Sequence, residues 1–463
     1  MKKISVSSIV PDSVAEGNYY TDSGDLLIAK GSTISKQHID ALTRRNIFEM
    51  YIKAFEEEEE IHQILSKEFA ELDELQFNEA AGPKVTRKAT KPDITLPPEL
   101  KGLKAGEEGA LQLIKSPKAL ELDKKLDEGA SPDRPVGPAL KQQATQIAVS
   151  QRTPAYVSEV NTSYAGAIAD VKTILNSLVE GKGVDEASIR TVVNRFIKTY
   201  LTDKSILINI TNTKAWEGEY LYHHTLNVCL LAINIAAASN YSEKQIYEIG
   251  IGALVHDVGM LLVPDEIRFK KGRLSKDEWF EVQKHAILGL HILEKVSRIP
   301  ETAKFVAYQT HERENAKGYP KQRAGRFIHR FAKIVQIADI YESLCSPRDY
   351  RLPYIPYRAM ELLIKMSRQN LISGEFVKAF LTYASLFPIG SIVELSDHRV
   401  AKVIQGNEQH YTKPLVSVII DEHGALMNKK NVYQIDLTKD TSVQIIRALE
   451  HSSLPKVDLM FGF

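Results

Sequence analysis

The sequence predicts a mainly α protein with small β-containing modules near its two ends. Three observations carry that reading. Apolar residues recur at helical spacings from about residue 155 to about residue 385. Short apolar runs bounded by turn clusters occupy the first 53 residues and the stretch after Pro388. Between them, residues 78 to 155 hold nine of the 19 prolines and no Phe, Trp or Tyr. The chain has 463 residues, room for roughly three domains and for a core that folds without disulfide or metal staples.

In residues 1–53 a small α/β domain is predicted. Thr21-Asp22-Ser23-Gly24-Asp25 is a turn cluster, and Leu26-Leu27-Ile28-Ala29 reads as a strand after it. Ser35 caps a helix through Ile39, Leu42 and Ile47, and Met50-Tyr51-Ile52 closes the unit as a strand. Residues 54–154 read as a charged helix, beginning at the acidic run Glu56 to Glu60, followed by a disordered linker too poor in aromatics to bury a core.

A helical domain is predicted over residues 155–386. Val160, Ala167, Val171, Ile174, Leu175 and Leu178 define its first helix, which Gly181-Lys182-Gly183 ends. Asp185 starts the next, through Ile189, Val193 and Ile197. After Pro388-Ile389-Gly390 the pattern changes to alternation, with Val416 to Ile420 as a strand. A β-rich module is therefore predicted over 387–440 and a C-terminal tail over 441–463.

Composition excludes several classes. Fifty-nine basic residues balance 59 acidic ones, which argues against a polybasic DNA-binding protein. Two cysteines, Cys229 and Cys345, exclude a disulfide scaffold and favour a reducing, cytoplasmic setting. The N-terminus lacks the apolar core of a signal peptide. The best apolar run, Val228 to Ala238, is too short for a membrane span.

The histidines are unevenly placed. Seven of 13 fall between His223 and His329. His256-Asp257 is the strongest local signal. Ile249, Ala253 and His256 share a helix face near a helix end, and Gly259 permits a sharp exit. An imidazole beside a carboxylate suits a binuclear metal site, because the two carboxylate oxygens can bridge two ions. Alone, such a pair is more simply a capped helix with a satisfied histidine. Its company changes the balance. His224 lies four residues from both Tyr220 and Val228, and His285, His311 and Asp339 each come from a further predicted helix. Asp339 shares an apolar face with Ile334, Val335 and Ala338, where an unpaired carboxylate would be costly. Ligands delivered one per helix are how a bundle builds an inward-facing metal site. His223 is predicted to face outward.

In the order His224, His256-Asp257, His285, His311-Glu312 with Gly318-Tyr319-Pro320, then Asp339, these residues resemble the HD-GYP phosphodiesterases over about residues 155 to 395. The likeness continues through Ala338 to Leu344 and Ser346 to Arg351. Residues 1–53 look like the small domain that often precedes such modules, and Phe387 to Leu395 like the segment that often follows them. The resemblance implies a helical HD-superfamily core that hydrolyses cyclic di-GMP, with a signalling protein as a further partner. It implies His224, His256, Asp257, His285, His311 and Asp339 as metal ligands and Asp257 as the central catalytic carboxylate. Imidazole and carboxylate donors together suit two divalent ions such as iron or manganese. At the dinucleotide it implies Gly318, Tyr319, Pro320 and Arg348. Arg348 can pair with a phosphate, and Tyr319 can stack on a guanine or equally anchor a rigid turn.

The sequence departs from the family at four places. Thr310 stands in the first position of the family's paired histidines. Met260 stands where the motif ends in lysine, Asn315 replaces an acidic residue, and Tyr220 replaces a carboxylate ligand of trinuclear members. These departures favour two ions over three. They also open a second reading, a degenerate module that binds cyclic di-GMP or a protein without turnover, and a third, an HD phosphohydrolase for another nucleotide.

Overall fold

A computed structural model describes residues 2–6, 9–11, 13–14, 19–20, 26–28, 33–44, 47, 49–52, 117–127, 134–145, 147, 152–182, 184–211, 219–270, 274–346, 353–407, 410–427 and 432–449. The chain divides into two compact units, Met1–Gln76 and Phe77–Phe463.

In the first unit, strands β1 (Lys2–Ser5), β2 (Ser13–Val14), β3 (Tyr19–Tyr20), β4 (Leu26–Ile28), β5 (Thr33–Ile34) and β6 (Glu49–Ile52) accompany helix α1 (Lys36–Arg44). β6 pairs antiparallel with β1, Ile4 opposite Met50, so the closing strand completes a sheet of order β1-β6-β3-β4. Val6, Tyr19, Ile28, Ile34, Leu42 and Met50 form the core. The helix is shorter than its apolar spacing suggests. It ends at Arg44, and Ile47 packs from beyond its end.

The second unit is helical and then β. Its helices are α2 (Pro117–Asp127), α3 (Pro154–Val179), α4 (Glu186–Thr202), α5 (Ile206–Ile210), α6 (Tyr220–Ala238), α7 (Glu243–Val255), α8 (Asp265–Arg268), α9 (Lys276–Gln283), α10 (His285–Leu293), α11 (Glu301–Gln309), α12 (Arg330–Cys345), α13 (Pro356–Arg368) and α14 (Gly374–Ala384). The caps are as the sequence signals. Asp185 accepts from the Ala187 N–H at the start of α4, and Gly181 adopts a φ of 68° after α3.

α6 is the axis of the bundle. Leu226, Val228, Leu230, Leu231, Ile233 and Ile235 are buried around its whole circumference, the mark of a helix enclosed by others. It is long and apolar enough to cross a bilayer, longer than the run from Val228 suggested, yet 83% of its apolar window is buried inside the protein.

The predicted linker over 54–154 needs correction. Its acidic run and residues 53–116 lie outside the described residues, but α2 lies within it and is docked. Leu122 is buried against Ile287, Leu288, Leu290, Phe305 and Tyr308. Asp123 pairs with Arg323 at 2.9 Å. Farther on, Leu140 is fully buried, and Arg152 pairs with Asp203 at 2.7 Å, both side chains almost wholly enclosed. A few well-placed apolar and charged side chains suffice to dock a segment on a surface supplied by other helices, which is why proline and aromatic counts misjudge it. Breaking such an enclosed pair costs about 3–5 kcal/mol.

The C-terminal strands β7 (Ile392–Leu395), β8 (Val400–Gln405), β9 (Leu415–Ile420), β10 (Gln434–Asp436) and β11 (Ile445–Leu449) form one antiparallel sheet of order β10-β9-β8-β7-β11. In β9, Val416 and Val418 turn inward and Ser417 between them is only half-buried, the period of two expected of a strand. The module extends past residue 440, because Ile445 to Leu449 pairs with Leu395 to Ile392. That stretch is an edge strand with Ile446 in solvent, so its alternation is weak and reads as tail. The remainder of the tail, 450–463, is outside the described residues.

Candidate metal centre

Six side chains from five stretches of chain converge inside the helical bundle. His224 comes from the first turns of α6. His256 and Asp257 follow the last turn of α7, His285 opens α10, His311 lies just beyond α11, and Asp339 sits midway along α12. Asp257 is central. Its Oδ1 lies 3.3 Å from His285 Nε2, 3.4 Å from His256 Nε2 and 3.5 Å from His311 Nε2, while its Oδ2 lies 3.5 Å from His224 Nε2. Asp339 approaches from the other side, 3.3 Å from His224 Nε2 and 3.7 Å from His311 Nδ1.

Second partners set the direction of the imidazoles. His256 Nδ1 lies 2.8 Å from the Ala253 carbonyl and His285 Nδ1 lies 2.6 Å from the Val282 carbonyl. A carbonyl can only accept, so in both rings Nδ1 donates and Nε2 presents a lone pair inward. His224 is oriented by Glu342, whose carboxylate lies 2.5 Å from its Nδ1, and by the Tyr220 hydroxyl at 3.0 Å. Glu342 in turn accepts from Asn227 and Ser346. The sequence reading missed Glu342. Its signal is its place three residues after Asp339, one turn along the same helix face.

The donor set passes a direct test for a cation. His256 Nε2, His285 Nε2, His311 Nε2 and Asp257 Oδ1 are all buried and take no hydrogen-bond partner among the described residues. Buried polar atoms are ordinarily satisfied, so four orphans facing one another call for a common partner. Two groups can each hold an ion, with donors within 4.8 Å of one another: His224, His256 and Asp257, and Asp257, His285 and His311. Asp257 belongs to both. Burial opposes its ionisation, but the imidazoles of His256, His224, His285 and His311 around it outweigh this and hold its carboxyl well below the usual range. Asp339 behaves alike: burial raises its pKa, and His224 and His311 lower it further than burial raises it. Both are carboxylates at neutral pH, ready to take a cation.

The remaining predicted residues divide. Gly318 lies against the backbone of His311 and Glu312, and a Cβ there would sit 2.4 Å from the Glu312 Cα, so only glycine permits the approach. The Tyr319 ring stacks parallel to His311, 10° apart at 5.0 Å, and stands edge-on to His285. Its ring contacts are thus made with two histidines of the cluster. Pro320 is buried beside it. Arg348 falls outside the described residues. Glu312 faces away from the cluster and accepts from the Lys321 and Arg323 N–H groups at 2.6 and 2.8 Å, tying down the loop that carries Tyr319. Asp123 of α2 braces that loop from outside through Arg323 and, at 3.8 Å, Lys321.

One divergent position finds its partner, and two expectations change. The Thr310 hydroxyl, at the C-cap of α11, donates to Val306 O at 2.7 Å. His223 is buried, not outward: its Nδ1 lies 3.3 Å from the Tyr164 hydroxyl, apart from the cluster. Gly259 serves close packing more than chain exit, since a Cβ there would meet His285 O at 2.0 Å.

Comparison with known proteins adds the following. Residues 207–375 match the family described as HD domain, and residues 392–456 match the KOW domain associated with HD domain. The chain is 26% identical over 253 residues to the cyclic di-GMP phosphodiesterase PA4108 of Pseudomonas aeruginosa, covering 54% of this chain and 60% of that protein. It is 29% identical over 173 residues to a 3'3'-cGAMP-specific phosphodiesterase of Vibrio cholerae, covering 37% and 33%. It is 33% identical over 161 residues to a cyclic di-GMP phosphodiesterase of Thermotoga maritima, covering 35% and 44%. In each case the chain spans less than two thirds of the relative's length.

Proposed function

We propose, from the premise that this chain is an HD domain protein related to the HD-GYP cyclic di-GMP phosphodiesterases, that it is a metal-dependent phosphodiesterase opening a cyclic dinucleotide, with cyclic di-GMP the first candidate. One observation carries the reading: Asp257 is shared by two three-residue donor groups, in which Nε2 of His256, His285 and His311 is buried without a hydrogen-bond partner among the described residues. His224, His256 and Asp257 would hold one divalent ion, and Asp257, His285 and His311 the other, with Asp339 between His224 and His311. Iron or manganese suits this mixture of nitrogen and oxygen donors. Such a pair of ions, when bound, neutralises charge at the phosphate and lowers the pKa of water.

The chain's own residues do the positioning. Ala253 O, Val282 O and Glu342 fix three imidazoles with Nε2 inward. Tyr319 covers one face of His311 and limits its rotation. Arg313, two residues after His311 and with its Nη1 donating to the Glu312 carbonyl at 3.2 Å, is a candidate cation for the phosphate in place of the lysine absent at Met260. Its chemistry suits a phosphate oxygen through two parallel N–H groups.

The test is anaerobic purification, loading with manganese or ferrous iron, and product analysis on cyclic di-GMP and 3'3'-cGAMP in parallel. Linear dinucleotide from wild type, and none from Asp257→Asn at equal folding, is the expected result. A second reading, binding without turnover, rests on the Thr310 hydroxyl bonded to Val306 O. Saturable dinucleotide binding with no product under any metal would establish it instead.

A further inference from the structure

His311, Tyr319 and Trp279 form an aromatic row leading outward from the candidate metal centre. Tyr319 lies parallel to His311 at 5.0 Å, and Trp279 stands perpendicular to Tyr319 at 6.0 Å. The row ends in solvent: Trp279 is 46% exposed, unusual for the largest apolar side chain. Its indole N–H has no acceptor among the described residues. It projects from α9, which runs directly into the ligand His285. Tyr319 is poorly placed as a platform for a base, because one face lies on His311 while His285 and Trp279 both stand perpendicular to its ring.

We propose that Trp279 is the stacking platform for a purine base of the dinucleotide whose phosphate is held at the metal centre. This rests on the function proposed above and names a residue that neither the motifs nor the resemblance assigns. An indole gives a base a broad apolar face and a free N–H for a ring acceptor. On the helix beneath, Glu278 is paired with Lys270 and Glu281 with Lys284, each at 2.6 Å, and the remaining Asp277 has Lys276 beside it in sequence. A platform beside the metals converts binding of the base into placement of the phosphate, which lowers KM without touching the reacting atoms.

The test uses the full chain loaded with manganese. Trp279→Ala should raise KM for cyclic di-GMP about 5- to 150-fold, the range for loss of one base–aromatic stack, with kcat and metal content nearly unchanged. Trp279→Phe should recover most of the loss. A binding readout stands beside it. The chain has two tryptophans, Trp216 and Trp279, and saturating cyclic di-GMP should quench indole emission in wild type but not in Trp279→Phe. Quenching of this kind without turnover would keep the platform and refute the hydrolase. Unchanged KM in Trp279→Ala, a kcat loss accompanied by metal loss, or quenching that survives in Trp279→Phe would overturn the platform.

Discussion

The two donor groups that share Asp257 are built on different supports. His224 lies within α6, the axis of the bundle, and His256 caps α7; their side chains are 3% and 0% exposed. Each has a close second partner, Glu342 for His224 and Ala253 O for His256. His285 and His311 sit at chain junctions, His285 between α9 and α10 and His311 at the start of the loop after α11. His285 has Val282 O, but the nearest polar partner of His311 Nδ1 is Asp339 at 3.7 Å, and its ring is held chiefly by Tyr319. Burial depresses the pKa of His311 and the nearby His285 lowers it further, while burial at His224 is outweighed by Tyr220, Glu342 and the two aspartates, which raise its pKa. The difference teaches that a shared carboxylate does not make two equal donor groups: both histidines of the first are fixed by a close second partner, whereas His311 of the second stands on a loop that other residues must hold.

The comparison breaks most visibly at the ligands themselves. His224→Ala should remove the tightly held ion altogether, a larger effect than the roughly 10- to 100-fold contributed by outer partners. His311→Ala should leave one ion bound after purification and lose only the second. Metal analysis after desalting measures both, and equal losses in the two variants would end the distinction. Next in size is Glu342→Gln, which keeps the shape but weakens the acceptor for His224 Nδ1. Affinity at the first site should fall about 10- to 100-fold, with the second little changed. Competition with a chelating dye reads the two affinities, and a uniform fall at both would show that Glu342 serves the cluster as a whole.

Thr310→His sharpens the comparison by adding an imidazole at the weaker group. The manganese needed for half-maximal occupancy should fall by about an order of magnitude, near the lower end for one added partner. Thr310 is fully buried, so the larger ring should also cost about 1–3 kcal/mol of stability, visible in thermal unfolding. No change in occupancy in a folded variant would mean that position 310 cannot reach the metals. The smallest effect on the metals belongs to Leu122→Ala. It should free α2 by emptying its place beside Ile287 and Phe305 and should speed amide exchange over 117–127, while metal content stays the same. Loss of an ion in this variant would show that α2 supports the second group through Asp123 and the loop at Arg323.

Much of the fold was legible because burial and period are written locally. The apolar face from Val160 to Leu178, the Asp185 cap and the strand at Val416 need only neighbours in sequence. The clustering of the six His and Asp side chains was legible for a related reason. A carboxylate such as Asp339 amid Ile334, Val335 and Ala338 is costly unless a partner waits across the core, and several such residues on separate helices imply one another. Arg348 and the acidic run after Phe55 lie outside the described residues.

By itself the sequence determined the main helices from Val160 onward, the strand at Val416 and the clustering of His224, His256, Asp257, His285, His311 and Asp339; it misjudged His223, the helix at 117–127 and the strand at 445–449. It could not show that Asp257 belongs to two donor groups, since a shared ligand is a relation among five separated stretches. Nor could it show that α2 docks, that Glu342 backs His224, that Tyr319 is held by His311, or that Trp279 emerges beside it. Each depends on a surface supplied by distant residues. A side chain's intrinsic preference is worth a fraction of a kcal/mol, whereas its fate in a packed interior turns on several kcal/mol of burial and pairing that only the assembled helices provide.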